Sequence, residues 1–256
     1  MSQVRTLQAE NLKILVYDSR ADMGRAAALH AAGIIRAVAE KKGEVNVIFA
    51  AAPSQNEFLE ALRGMNDLPW NRVNAFHMDE YIGLPADAPQ GFANFLRRSL
   101  FDLVPFKRVF CLNGQNPDPN AECARYAALL REHPTDLICM GIGENGHIAF
   151  NDPPVADFDD PLDVKVVELE ARCRQQQVND GCFASLDEVP THAMTLTVPL
   201  MMRAPELILV VPTALKAQAI RDTARGPVST KVPASAVRKH VGGATLYTDE
   251  AGASLL

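Results

Sequence analysis

One run of this chain concentrates side chains that can move protons: Met140-Gly141-Ile142-Gly143-Glu144-Asn145-Gly146-His147-Ile148-Ala149-Phe150-Asn151-Asp152-Pro153-Pro154. The apolar tetrad Leu137-Ile138-Cys139-Met140 before it reads as a short buried strand that breaks into glycines. Glycine lets a backbone turn sharply and come close to a ligand, so a sheet could open onto a site here. Beyond the bend stands His147, a residue type able to accept and donate protons near neutral pH. The carboxylate of Asp152 follows five positions later. The same pattern suits a structural histidine in a strand-to-helix turn, and no phosphate-loop lysine accompanies the glycines. The bend alone does not choose.

Two further segments narrow the choice. Upstream lies His77-Met78-Asp79-Glu80-Tyr81-Ile82-Gly83-Leu84-Pro85, and downstream Val211-Pro212-Thr213-Ala214-Leu215-Lys216-Ala217. With the central run they make the sequence resemble the glucosamine-6-phosphate deaminase/isomerase family, relatives of 6-phosphogluconolactonase. The likeness extends from about Leu12 to Tyr247, and the M-D-E-Y-x-G-L-P and G-x-x-G-H-I-A-F-N blocks are too long to match by chance.

The resemblance implies an amino sugar 6-phosphate as substrate, converted to a ketose phosphate with release of ammonia. Moving a proton between adjacent carbons needs one base that reaches both, and a carboxylate over the sugar face suits the task. Asp79 matches the family's proton-shuttling aspartate; read without the family, it would be a helix cap or loop hydrogen-bonding residue. Glu80 is expected to point elsewhere in a structural role. His147 matches the family's ring-opening histidine. The positions of the two carboxylates that steady it hold Asn145 and Asp152 here. Asp152 keeps the charge with a shorter arm, whereas Asn145 can orient an imidazole N–H but cannot stabilise an imidazolium by charge.

The anion site departs as well. Where the family has a glycine- and hydroxyl-rich turn after the second strand, this chain has Ala50-Ala51-Ala52-Pro53-Ser54-Gln55-Asn56. A helix start at Ser54 remains favourable to an anion. Counting from Arg172, the family's lid arginine falls on Gln177, while Lys216 retains its phosphate-binding lysine. Ser54, Gln55, Gly146, Gln177 and Lys216 are therefore the expected substrate-binding set, beside the catalytic set Asp79, His147, Asn145 and Asp152. No metal or other cofactor is expected.

Apolar strands alternating with amphipathic helices must position these residues. Lys13–Tyr17 reads as a first strand, followed by an alanine-rich helix from Arg20 to about Lys41, capped by Asp18 or Ser19 and stopped by Gly43. Val45–Ala50 is a second strand, apolar enough to be covered on both faces. Ser54-Gln55-Asn56-Glu57 reads as a capping box. Strands at Val73–His77 and Arg108–Leu112 follow, with helices near Phe92–Phe101 and Ala121–Arg131. After the central bend come a strand at Val164–Leu169, a polar helix within Glu170–Gly181, strands at Met194–Val198 and Leu207–Val211, a helix from Thr213 to about Ala224, a short helix at Pro233–His240 and an edge strand at Thr245–Tyr247.

The expected fold class is α/β: a three-layer, mostly parallel, doubly wound sheet with helices on both faces, a modified Rossmann-like arrangement. Such sheets bind ligands at the carboxyl ends of their strands, near the reversal of strand order. Asp79 and His147 both follow strands, so they should share that rim. A single domain over residues 1–256 is expected, with a lid at about 153–186.

Composition limits the function classes. With 256 residues, 48% hydrophobic and 22% charged, the chain can bury a large core. A net charge of −6 argues against nucleic acid as a partner. The five cysteines are scattered without C-x-x-C spacing, which suits a reducing, cytoplasmic setting. No apolar run approaches the roughly 20 residues that span a bilayer, so no membrane partner is expected. The sequence allows a homo-oligomer without specifying one. The alternatives are an isomerase or lactonase acting without deamination, and a non-catalytic sugar-phosphate sensor. Against the sensor, the chain leads almost directly into its first strand, and Asp79, His147 and Asp152 occur together.

Overall fold

Two sheets organise the chain in a computed structural model that describes residues 3–256. In chain order the strands are β1 (Gln3–Ala9), β2 (Leu12–Tyr17), β3 (Val45–Phe49), β4 (Val73–His77), β5 (Asp79–Tyr81), β6 (Arg108–Phe110), β7 (Leu137–Met140), β8 (Val164–Glu168), β9 (His192–Leu196), β10 (Glu206–Val210) and β11 (Ala244–Asp249). The α-helices are α1 (Arg20–Lys42), α2 (Asn56–Arg63), α3 (Phe92–Leu96), α4 (Pro119–Glu132), α5 (Ala171–Asn179), α6 (Val198–Met202) and α7 (Ala217–Arg225). The main sheet runs β1-β2-β11-β10-β7-β3-β4-β6, parallel except for β1, and β5-β9-β8 form a small antiparallel sheet.

Local chemistry sets the elements. Ser19 caps α1 by accepting the Asp22 N–H, and Gly43 ends it at φ 83°, a left-handed conformation that glycine adopts without cost. Side chains alternate across β3: Val45, Val47 and Phe49 join one core layer with α1 and α2, while Ile48 joins the other with α4, α6 and α7. The sheet is thus covered on both faces, as its near-continuous apolar strands require.

Strand order reverses between β3 and β7, because the chain runs outward through β4 and β6 before returning to β7, β10 and β11. The carboxyl ends of β3, β4, β7 and β10 therefore converge where such a sheet leaves a crevice.

Four expectations need correction. The edge strand is not Thr245–Tyr247: β11 is paired on both sides, with β2 and β10. The edges are β1 and β6, and the exposed polar residues of β1 hid it, since an edge strand has little apolar pattern to show. Met194–Leu196 and Val164–Glu168 are strands of the small sheet rather than the main one, because an apolar run says that it is buried but not beside what. The capping box does not form. Pro53–Gln55 makes a 3-10 turn, α2 starts at Asn56 without a side-chain cap, and Glu57 turns to Arg20 at 2.8 Å instead.

The small sheet joins the two halves of the candidate site. Thr195 on β9 pairs with Asp79 on β5, and its Oγ1 accepts the N–H of Phe150 at 3.0 Å. Asn151 donates to the carbonyl of Leu196 at 2.7 Å. Below them Tyr81, Phe92, Phe150 and Phe183 form an aromatic floor with centroid separations of 4.8 to 5.6 Å. Each such pair adds about 0.5–1.5 kcal/mol beyond the area it buries.

Candidate active site

The crevice is a cavity of about 250 Å³, below the size of drug-sized pockets and suited to one small polar molecule. Its walls come from the turn after β3 (Ala50–Ser54), from Met78 and Asp79, from the bend after β7 with His147, from α5 (Gln176 and Gln177) and from Pro212, Thr213 and Lys216 after β10.

Asp79 and His147 open into this same cavity, though each is more than nine-tenths buried. Burial pushes the Asp79 carboxyl well above the usual range, and the neighbouring Glu80 adds to the shift. Glu80 faces away from the cavity, accepting the N–H groups of Tyr81, Phe92 and Ala93 at 2.9–3.0 Å. It caps α3, the structural role expected of it.

The bend after β7 places the imidazole. Gly143 donates its N–H to the carbonyl of His147 at 2.9 Å. A Cβ on Gly143 would stand 2.2 Å from Cε1 of His147, so the ring lies against bare backbone that only glycine provides. Gly146 adopts φ 84° and supports Val232 and Ala234; it shapes the bend from behind and is not among the cavity walls. Ala149 (φ 48°) and Thr213 (φ 82°) also line the cavity. Non-glycine residues held at positive φ cluster where a site over-determines the backbone.

Asp152 and Asn145 do different things. Oδ1 of Asp152 lies 2.9 Å from Nδ1 of His147. Even so, Nδ1 has no hydrogen-bond partner among the described residues. Asn145 does not touch the imidazole nitrogens. Its Oδ1 accepts the backbone N–H of His147 at 3.1 Å, and its Nδ2 donates to Asp152 Oδ1 at 2.9 Å and to Glu170 Oε2 at 2.7 Å. Burial raises the Asp152 carboxyl, but His147, the Asn145 amide and the Glu170 N–H outweigh it, and the carboxyl sits below its ordinary range. Glu170 was not legible in the sequence: it belongs to no motif and arrives from the small sheet.

Among the other expected residues, Ser54, Gln177 and Lys216 line the cavity. Gln55 is buried beneath the glycine bend, donating to the carbonyl of Val210 at 3.0 Å and to Ser54 Oγ at 3.1 Å, and so acts as a brace. Lys216 is only 5% exposed and, among the described residues, forms no ion pair. Burial holds its ammonium below the usual lysine range, against the opposing pull of Asp180 and Glu144. Arg20 also lines the cavity, and it donates to the carbonyl of Pro53 at 3.2 Å and to Glu57.

His147, Asp152 and Cys173 offer ligand atoms within 4.8 Å of one another. Burial and the Asp152 charge push the Cys173 thiol well above its usual range, so it stays protonated, a poor partner for a cation.

The sequence pattern of the glucosamine-6-phosphate isomerases/6-phosphogluconolactonase family matches residues 18–247. The chain belongs to this family. Its relatives include the glucosamine-6-phosphate deaminase of Lactobacillus delbrueckii subsp. bulgaricus, 36% identical over 245 residues, covering 96% of this chain and all of that protein. The glucosamine-6-phosphate deaminase of Listeria innocua is 39% identical over 214 residues, 84% of this chain and 89% of that one. Among solved structures, a monomeric glucosamine-6-phosphate deaminase superposes with a TM-score of 0.87 at 28% identity, over 95% of this chain and 99% of that one. A 6-phosphogluconolactonase from Trypanosoma brucei shares the fold alone, with a TM-score of 0.77 at 18% identity over 95% and 98% of the chains. The isomerase/deaminase class expected from the motifs is the one carried by the family's relatives of this chain. No helix among the described residues is long and apolar enough to cross a membrane.

Proposed function

We propose that this protein converts an amino sugar 6-phosphate, with glucosamine 6-phosphate the first candidate, into the ketose 6-phosphate and ammonia. The observation that carries the reading is that Asp79 and His147 wall one cavity that is also lined by Lys216, a buried ammonium with no ion pair among the described residues.

With Nδ1 turned to Asp152, Nε2 is the imidazole nitrogen available to the sugar. It takes the proton of the anomeric hydroxyl and returns one to the ring oxygen, opening the ring. The ionised Asp79 carboxylate then removes the proton from C2 and delivers it to C1, while one proton of the amino group passes to the C1 oxygen, leaving an imine at C2 and a hydroxyl at C1. Addition of one water and loss of ammonia complete the ketose, which makes the net reaction hydrolytic at the C–N bond. A carboxyl raised by burial is a stronger base once ionised, which suits abstraction from carbon.

A phosphate accepts charge-assisted hydrogen bonds from Lys216, with Ser54 and Gln177 as neutral partners. Their setting, without the family's glycine turn and lid arginine, makes Lys216 the principal anchor. Helix α5 serves as the lid: Gln176 accepts the Glu144 N–H at 2.7 Å, and Arg172 donates to the Glu144 carbonyl at 3.2 Å, latching it over the bend. The five free thiols suit a reducing, cytoplasmic setting, and the fold serves as one domain for one small-molecule substrate.

The test is direct. Ammonia and ketose phosphate are measured with glucosamine 6-phosphate and galactosamine 6-phosphate, and the product is identified by NMR. Equal release of both products supports the proposal. Ketose formation without ammonia, or hydrolysis of a lactone alone, would replace it with the corresponding alternative.

A further inference from the structure

Glu170 occupies the N-cap of α5 yet makes no side-chain cap there. Its carboxylate turns to Asn145 instead, accepting from Nδ2 at 2.7 Å, while its own N–H donates to Asp152 Oδ2 at 3.2 Å. Asn145 gives its other amide proton to Asp152 Oδ1. Both donors of one amide are thus committed to two carboxylates. An aspartate at 145 would offer no donor and would set three acids together, which is costly in a buried site. The amide at 145 and the acid at 170 are one unit.

We propose that Glu170 is a positioning residue for the reaction: through Asn145 it fixes the Asp152 carboxylate against His147 and restores the second negative charge that Asn145 itself lacks. This rests on the catalytic role given to His147 above. Hydrogen bonds carry the effect from Glu170 through Asn145 to Asp152, and the Asp152 charge 2.9 Å from Nδ1 acts on the imidazole through space; both are strengthened in a poorly polarisable interior. Because Glu170 also begins α5, any displacement of the lid loosens the same chain.

The experiment compares Glu170→Gln, Asn145→Asp and the double variant, reading kcat, KM, pH profile and melting temperature. Glu170→Gln keeps an acceptor for Asn145 and removes only the charge. It is expected to lower kcat about tenfold, with KM nearly unchanged. Asn145→Asp should lose more activity and melt earlier. Adding Glu170→Gln to Asn145→Asp should recover part of both losses, since one of three crowded acids is gone. If Glu170 merely anchors α5, Glu170→Gln leaves kcat and the pH profile unmoved and the double variant shows no recovery; that result overturns the proposal.

Failure of the substrate reading is separable, because the melting temperatures of the three variants need no substrate. The acids around position 145 are Asp152 and Glu170, so Asn145→Asp should melt earlier than the parent and the double variant should recover part of that loss. A double variant that melts no higher than Asn145→Asp sinks the proposal whatever the substrate proves to be.

Discussion

Oδ1 of Asp152 stands 2.9 Å from Nδ1 of His147, in a pair that is almost wholly buried. The carboxyl sits below its ordinary range, so it stabilises the folded state above the pKa it has when unfolded. That stabilisation is lost as pH falls through the folded value. Asp152→Asn should therefore melt earlier than the parent at neutral pH, with the gap closing in strong acid. Its kcat should fall on the order of 10²- to 10⁴-fold, as when a histidine loses its orienting charge.

Asp79 has the opposite sign. Its folded pKa is raised, so between the ordinary carboxyl range and that raised value the folded state holds a proton that the unfolded chain has released. Stability falls as pH rises through this window. Activity should rise over the same window, because only the ionised form is a base. Asp79→Asn should be inactive in ammonia release, and calorimetric melts above the window should show it at least as stable as the parent.

Lys216 anchors the anion in the proposed complex. Lys216→Met should raise KM by about 10- to 100-fold, the worth of a hydrogen bond to a charged group, with a smaller change in kcat. Inorganic phosphate should raise the melting temperature of the parent by mass action and leave that of the variant unmoved. A phosphate shift retained in Lys216→Met would place the anion elsewhere.

Gly143 carries the imidazole on bare backbone. In Gly143→Ala the new Cβ meets the ring 2.2 Å from Cε1, so His147 must move. Displacements of about 1 Å at a reacting group can cost on the order of 10² in rate. Initial-rate kinetics should show that loss in kcat while the circular dichroism spectrum stays that of the parent.

Much of the layout was legible because local rules govern it. Ser19 and Gly43 bound α1 through backbone hydrogen bonds made within a few residues. The apolar runs at β3, β4, β7 and β10 announced a covered parallel sheet. Glu80 read as structural, and it caps α3. What failed was pairing: β5, β9 and β8 form their own sheet, and β11 is interior, because burial leaves the same mark on a strand wherever its partner lies.

By itself the sequence determined the strand-and-helix alternation, the glycine bend and the residue types available for proton transfer, since these depend on neighbours along the chain. The tertiary structure decided which of them meet. Thr195 ties Asp79 to Phe150 across the small sheet, and Glu170 arrives beside Asn145 from a segment with no motif of its own. Asn145 thus serves Asp152, Glu170 and the His147 backbone N–H. Such contacts arise only when the small sheet and α5 fold onto the carboxyl ends of the main strands, where distance along the chain carries no information about proximity in space.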